Sequence, residues 1–447
     1  MKNAFHAYDI RGIWNKDFNS GDVYKIGFFI PELLKTDKII VGRDGRNSSP
    51  EIHEALLRGI TDAGADVYDI GLATTPMVYF GTANYGFKAG VQITASHNPK
   101  EYNGLKISRE NALPVGLGTG LEILLELATT KQVTPVAKKG NVIPKDIKAD
   151  YINFQKKYFA GLDGLKIGVD CSNGAGAIIA KDIWGNAPLY INETLDGNFP
   201  CHEPNPLLPK NTVQMQNFVK DNGLDLGVVF DGDADRVVFV DNKGRHVPPD
   251  LIIAAMGRYF FEEKHQSGLV IEDIRTSNSV KEYLAKFGAE TYIWKVGRAN
   301  AAPKLREING LYGGEYAGHY YFRDFFFSDS GVLAGSIMLQ VAAKVKKEGR
   351  TFADLVDEIR RYDNSGEINF KIEDKDGAME RVRKFYVSQK EPNVFLDFDG
   401  YRLEYDDWWL NIRKSNTEPY LRLLCEAKTK QLLDEKVAEI TKLIQNQ

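Results

Sequence analysis

KIIVGRD (38–44), followed by SPEIHEALLRGITDAG (49–64), decides the fold. The first segment is a short apolar run of the kind that forms a buried strand. The second has helical spacing, with Ser49 as its N-cap and Pro50 at the first helical position. DVYDIGL (66–72) reads as the next strand, a short helix covers the region from Thr75 to Tyr85, and AGVQITA (89–95) is another strand. Strands that alternate with helices form right-handed βαβ units in a mixed or parallel sheet. Such sheets take ligands in the loops at the carboxyl ends of their strands.

Outward from this unit the pattern restarts twice. LKIGVD (165–170) opens a second unit, with a helix over GAIIAKDIWGN (176–186) and a strand in LDLGVVF (224–230). GLVIEDI (268–274) opens a third, followed by the helix SVKEYLAKFG (279–288), the strand AETYIWKV (289–296) and the helix APKLREIN (302–309). The last part differs. INFKIED (368–374), the helix GAMERVRKFYVSQ (377–389), a hairpin turning at Asp399-Gly400, the strands WWLNIRK (408–414) and LRLLCEA (421–427) and a terminal helix read as β-α-β-β-β-α. The expected class is therefore α/β: three related α/β domains with mixed sheets, at 1–145, 146–245 and 246–362, and a small α+β domain at 363–447. KKGNVIPKDIKADY (138–151) and the region 362–366 read as linkers.

Length and composition agree. The 447 residues hold three or four domains at roughly 150 residues each. A hydrophobic share of 43% and a charged share of 26% exclude disorder and collagen-like structure. The net charge of −4 comes with no basic stripe, so nucleic acid is not an expected partner, although a few local cations suffice for an anionic small molecule. Cys171, Cys201 and Cys425 are too few and too scattered for a disulfide framework or a zinc knuckle. No apolar run approaches the ~20 residues of a membrane span. MKNAFHAYDIRG lacks the apolar core of a signal peptide, and the chain reads as cytoplasmic.

Four loops carry chemistry. TASHNPKEYNGLKI (94–107) follows a strand and holds Ser96 beside His97, with Lys106 nearby. In DGDADR (231–236), Asp231, Asp233 and Asp235 alternate between apolar strands. In extended backbone alternate side chains share one side, and three converging carboxylates repel unless a cation neutralises them. The spacing is not that of an EF-hand, and the open positions it leaves for water or a phosphate oxygen suit Mg²⁺. GGEYAGHYYF (313–322) offers Glu315 and His319 around the small residues Ala317 and Gly318, a pattern suited to a polyhydroxyl ligand. RKSNTEPYLRL (413–423) gathers Arg413, Ser415, Asn416 and Thr417, and arginine supplies a planar fork for phosphate oxygens. Taken singly, each loop also fits a structural role: a capped surface turn, an acidic turn, a tight turn with a structural histidine, a polar hairpin. GLGTG (116–120) and NGAGAII (173–179) break the dinucleotide fingerprint, and there is no Walker sequence.

Together a serine, an acidic metal loop, a hydroxyl reader and a phosphate reader are the parts for moving a phosphoryl group on a sugar. The chain resembles the α-D-phosphohexomutase superfamily, in its phosphomannomutase/phosphoglucomutase branch. YDIRG (8–12), GRD (42–44), TASHNP, HEPNPLLP (202–209), DGDADR, VGR (296–298), GGEYAGH and RKSNTEP occur in family order across nearly the whole chain. The resemblance implies four domains around a central cleft, the last of them TBP-like. It implies that Ser96 is a phosphoserine and that Asp231, Asp233 and Asp235 hold Mg²⁺, with a phosphate oxygen on Ser96 completing the site. Glu315 and His319 match the sugar-reading loop, and Arg413, Ser415, Asn416 and Thr417 the loop holding the phosphate that is not transferred. Tyr8, Arg11, His97, Lys106 and Arg236 match residues that line the reaction centre.

The resemblance also implies a phosphohexomutase interconverting hexose 6-phosphate and hexose 1-phosphate, mannose first and glucose next, through a hexose 1,6-bisphosphate that also serves as activator. Lys106 or His97 is the expected base. A phosphoglucosamine-type mutase, a sugar-phosphate phosphatase and a non-catalytic sugar-phosphate-binding homologue are the alternatives. The expected partners are small sugar phosphates, with the chain a monomer or weak homodimer. Three positions depart from the family pattern: Ala317 where serine is usual, Arg298 where histidine often follows Val-Gly, and Arg275 where lysine is common. The two arginines are expected to keep or add positive charge in the cleft.

Overall fold

A computed structural model describes residues 1–162, 164–415 and 419–445. Among these residues the strands form four sheets. In the first, Lys38–Arg43 is flanked by the parallel strands Asp66–Leu72 and Ala89–Ile93. Tyr102–Arg109 then folds back antiparallel on Ala89–Ile93, and Ile10–Ile13 closes that edge. The second and third sheets repeat the plan. Ile167–Asp170 runs parallel to Leu189–Ile191 and Leu226–Phe230, with Val237–Asp241 antiparallel beyond. Val270–Asp273 runs parallel to Thr291–Trp294 and Tyr312–Gly314, with Tyr320–Phe322 antiparallel beyond.

This shared plan locates the candidate loops. Each sheet has one reversal in which a parallel strand turns straight back into an antiparallel one. Residues 94–101, 231–236 and 315–319 are those three reversals, each at the carboxyl end of its parallel strand. The serine, the acidic triad and the Glu315–His319 loop are therefore equivalent positions of three related sheets. The fourth sheet is antiparallel throughout among the described residues, and RKSNTEP begins at the end of its strand Trp408–Lys414, which pairs with Leu421–Ala427.

The second and third sheets share one apolar core. The helix Gly331–Lys347 buries most of its residues there, and Trp184 donates from Nε1 to Ser336 Oγ at 2.9 Å. The fourth unit has its own core of Ala378, Val382, Leu410, Leu423 and Ile440. No helix among the described residues is long and apolar enough to cross a membrane. Cys171 and Cys425 are buried, Cys201 is exposed, and all three thiols are free.

Three local expectations need correction. The single helix expected over 176–186 is a 3-10 turn, Ala175–Ile178, followed by a short helix, Ala180–Trp184. The Ala175 N–H donates to Gly232 O at 2.8 Å, so the start of the segment is committed to the acidic loop and not to a regular helix. Ser49 is not the N-cap. It lies inside the helix Ser49–Asp62 and donates its hydroxyl to Asp44 Oδ1 at 2.6 Å. Only Ile368–Phe370 of INFKIED is strand.

Burial also places two carboxyls where they are hard to ionise. Asp250 and Glu272 are both buried, and burial pushes each up to about 7. A carboxyl raised above its unfolded value stabilises the fold below that unfolded value, and the contribution is lost as pH rises through the folded one. Asp250→Asn should therefore gain stability relative to the parent between pH 5 and pH 8, by roughly 2 kcal/mol at 1.36 kcal/mol per unit. Parallel stability curves for parent and variant across that range would contradict this.

Candidate active site

Ser96 follows the strand Ala89–Ile93 and has a left-handed backbone, φ +50°. Its N–H donates to Thr94 Oγ1 at 2.8 Å, and its hydroxyl donates to Asp231 Oδ2 at 2.7 Å. His97 Nδ1 is 3.5 Å from Ser96 Oγ. The serine of the first sheet and the acid of the second thus meet directly, although 135 residues separate them in the chain.

The acidic loop is a turn, not the extended segment that alternation suggests, and Ala234 takes φ +58°. The three carboxylates converge nonetheless: Asp231, Asp233 and Asp235 are buried, each with a ligand atom within 4.8 Å of the others. Gly232 makes the approach to Ser96 possible, because a Cβ there would lie 2.4 Å from Ser96 O. Asp233 also receives the Thr75 hydroxyl, and its carbonyl accepts from Thr75 N–H at 3.0 Å. The N-terminus of the helix Thr75–Asn84 therefore faces the acid, which favours negative charge there.

Cations surround the triad. Lys106 Nζ is 2.7 Å from Asp233 Oδ2 and 2.5 Å from Asp235 Oδ2. Burial opposes its charge, but these two partners outweigh burial and hold the ammonium well above its ordinary range. Arg236 Nε is 3.8 Å from Asp231 Oδ2. Arg11 is paired with Asp9 and donates to Asn98 Oδ1 at 2.8 Å, beside the serine. Burial, then Arg236, Arg11 and Lys106, keeps His97 neutral far below the usual histidine range.

The acids fit a divalent cation. Burial, then Asp233 and Asp235, pushes the Asp231 carboxyl well above its ordinary range. Asp233 Oδ1 and Asp235 Oδ1 are buried with no hydrogen-bond partner. Three hard oxygen donors with unused lone pairs and mutual repulsion are the donor set of a small hard cation.

The third loop joins at His319. Arg236 and His319 form a backbone bridge, and His319 Nδ1 is 2.7 Å from Asp329 Oδ2 and 3.9 Å from Asp235 Oδ1. Burial works against ionisation of Asp329, yet its hydrogen bond with His319 and the nearby cations hold it at about 2. Glu315 is buried, accepts from Tyr321 OH at 2.5 Å and from Gly297 N–H at 3.1 Å, and burial raises its carboxyl. Tyr8 reaches the same region, donating to Val296 O at 3.0 Å.

The two departing arginines are held in ion pairs at contacts between units. Arg298 bonds Asp329 Oδ1 at 2.8 Å and Ala112 O at 2.8 Å, and stacks 3.7 Å above the Tyr79 ring. Arg275 pairs with Asp273 at 2.7 Å and with Glu367 at 3.1 Å. Each arginine thus carries its charge beside local carboxylates. Ala317 lies half-buried in the turn before His319.

In the fourth unit Arg413 is buried and bonds Asp399 Oδ1 through Nε at 3.1 Å. Asp399 Oδ2 accepts from Val296 N–H at 2.8 Å, which ties the Arg413 strand to the Val-Gly-Arg loop of the third unit. Ser415 N–H donates to Tyr420 O at 3.0 Å. Asn416 and Thr417 lie outside the described residues. Sequence reasoning missed Thr75, Asp329, Asp399 and Arg46. The one local signal was GRDGR (42–46), in which a second arginine follows the GRD motif by two residues.

The chain is similar to known proteins along nearly its whole length. Models of phosphoglucomutase/phosphomannomutase alpha/beta/alpha domains I, II and III match residues 2–133, 147–244 and 248–362, and the C-terminal domain model matches 367–443. A phosphomannomutase of Salmonella montevideo is 35% identical, over 96% of this chain and 98% of that protein. A phosphomannomutase of Methanocaldococcus jannaschii is 34% identical, over 99% of this chain and 97% of the other. A phosphoglucomutase/phosphomannomutase family protein of Burkholderia thailandensis of known crystal structure superimposes with a TM-score of 0.87 at 26% identity, covering 100% of this chain and 98% of that one.

Proposed function

The chain belongs to the phosphoglucomutase/phosphomannomutase family, and from that premise we propose that it is a phosphohexomutase whose phosphoryl carrier is Ser96. It interconverts hexose 6-phosphate and hexose 1-phosphate, with mannose the first substrate and glucose the second. The observation that carries this reading is the contact of the Ser96 hydroxyl with the acidic triad, 2.7 Å from Asp231.

Phospho-Ser96 gives its phosphoryl group to the free hydroxyl of the substrate. The P–Oγ bond breaks, a P–O bond to the sugar forms, the sugar hydroxyl proton passes to a base, and Ser96 Oγ takes up a proton as it leaves to regenerate the serine hydroxyl. The resulting 1,6-bisphosphate turns in the cleft and returns its other phosphate to Ser96. Asp231, Asp233 and Asp235 would hold Mg²⁺, which when bound neutralises charge on the transferring group. Arg11, Arg236 and Lys106 supply positive charge to the same end. The proton acceptor is Lys106, which lies between Asp233 and Asp235, or His97, whose Nδ1 is 3.5 Å from Ser96 Oγ. Added hexose 1,6-bisphosphate re-phosphorylates Ser96 when the intermediate escapes.

Arg413 binds the phosphate at the far end of the sugar. A charge-assisted contact contributes about 1.5–3 kcal/mol. Arg413→Ala should therefore lower kcat/KM by about tenfold to a hundredfold, equally for mannose and glucose phosphates. Substitution at Glu315 or Ala317 should instead change the ratio between the two sugars, because epimers differ in hydroxyl geometry. Steady-state kinetics on both sugars tests the division, and a strong change of ratio in Arg413→Ala would refute it. A coupled assay with mannose 1-phosphate and glucose 1-phosphate, each with 1,6-bisphosphate, tests the activity. Isomer is expected, whereas release of inorganic phosphate alone would indicate a phosphatase.

A further inference from the structure

We infer that Arg46 sets the conformation of the Ser96 loop and is a positioning residue for phosphoryl transfer. This rests on the reading of Ser96 as the phosphoryl carrier. Arg46 ends the GRDGR segment that follows the strand Lys38–Arg43, and its side chain is buried, with 1% exposed. Nη1 donates to the carbonyls of Pro99 at 2.8 Å and Tyr102 at 3.0 Å. Nη2 donates to the carbonyls of Ser96 at 2.8 Å and Asn98 at 2.7 Å. Three carbonyls of the loop and that of Tyr102, at the start of the next strand, therefore converge on a single planar guanidinium.

The guanidinium is itself held in place. Asp44 Oδ2 is 3.2 Å from Arg46 Nε, and Asp44 Oδ1 accepts from Arg46 N–H at 3.0 Å and from the Ser49 hydroxyl at 2.6 Å. The Phe199 ring, from the second unit, covers the guanidinium with its centre 5.0 Å from Cζ. The clamp is thus assembled from the first sheet and capped by the second unit, which also supplies the acidic triad.

The loop needs such a clamp. Ser96 has φ +50°, a region that costs a non-glycine residue free energy and persists only where its surroundings over-determine it. Thr94 Oγ1 holds its N–H, while Arg46 and the backbone at Gly232 confine its carbonyl. This backbone aims Oγ at Asp231. A lysine keeps the charge but offers three donors from one point, without the fork that serves two pairs of carbonyls.

The test uses the full-length enzyme with Arg46→Lys and Arg46→Ala, charged with glucose 1,6-bisphosphate and mapped for phosphate. Rapid-quench transfer from phospho-Ser96 to mannose 1-phosphate is then timed. Both variants should transfer about a hundredfold more slowly, the scale set by a displacement near 1 Å, while KM stays within about threefold of the parent. Free guanidinium should restore Arg46→Ala by at least about tenfold and leave the parent unchanged. Transfer at the parent rate in Arg46→Lys, a KM rise that accounts for its loss, or a folded Arg46→Ala that guanidinium does not rescue would overturn the inference. If Arg46→Ala does not fold, Arg46→Lys decides alone. A parent enzyme that turns over without phosphate on Ser96 would instead remove the reading on which the inference rests.

Discussion

Ser96→Ala should lose on the order of 10⁴-fold or more in kcat, because it removes the group that carries the phosphoryl between the two halves of the reaction. The Ser96 hydroxyl touches Asp231 of the acidic triad, and the left-handed backbone of Ser96 is held by Thr94, Arg46 and the backbone at Gly232. Alanine at 96 leaves the loop, the acids and the surrounding cations in place. Substrate affinity should therefore change far less than turnover, and KM should stay within about threefold if it reports binding. Hexose 1,6-bisphosphate should fail to activate the variant, since it has no hydroxyl to charge. A variant with more than about a tenth of parent activity would place the carrier elsewhere.

Loss of the metal should have the second largest effect. Chelation with EDTA should abolish turnover, and Mg²⁺ should restore it. Asp233→Asn should lower kcat by about 10²–10³-fold, since a cation at a transferring phosphoryl supplies several kcal/mol. Asp233 is the acid bound by the Thr75 hydroxyl and Lys106, so its replacement removes both a metal ligand and a partner of a buried ammonium. The two effects separate on titration. A lost ligand raises the Mg²⁺ concentration for half-activity, whereas a misplaced Lys106 leaves that concentration unchanged and lowers the plateau. Full activity in excess EDTA would exclude the metal reading.

The repeating strand–helix pattern was legible because buried strands carry short apolar runs, as at residues 39–41 and in Leu226–Phe230. The candidate residues were legible where they lie in short segments of unusual composition, as at Ser96 and Asp231 in their loops and Arg413 near the end of its strand. Convergence was not. Nothing local says that Ser96 meets Asp231, or that the helix starting at Thr75 points at Asp233, because these contacts depend on how one sheet packs against another. Alternation in DGDADR suggested extended backbone, but Ala234 takes a left-handed turn and Gly232 yields to the Ser96 carbonyl. The contacts of Arg298 with Asp329 and of Arg275 with Glu367 were not legible, because these partners are distant in the chain. Arg46 escaped for the same reason: its four acceptors are backbone carbonyls, which every residue type supplies.

In the proposed reaction Ser96 carries the phosphoryl group between the two ends of the sugar, and every other role assigned to the site depends on that. Incubating the purified protein with hexose 1,6-bisphosphate, followed by intact mass and peptide mapping, tests it most directly. The expected result is one added phosphate on the peptide containing Ser96, discharged on addition of mannose 1-phosphate as bisphosphate forms. Phosphate on another residue, or steady mutase turnover with Ser96 never phosphorylated, would contradict it.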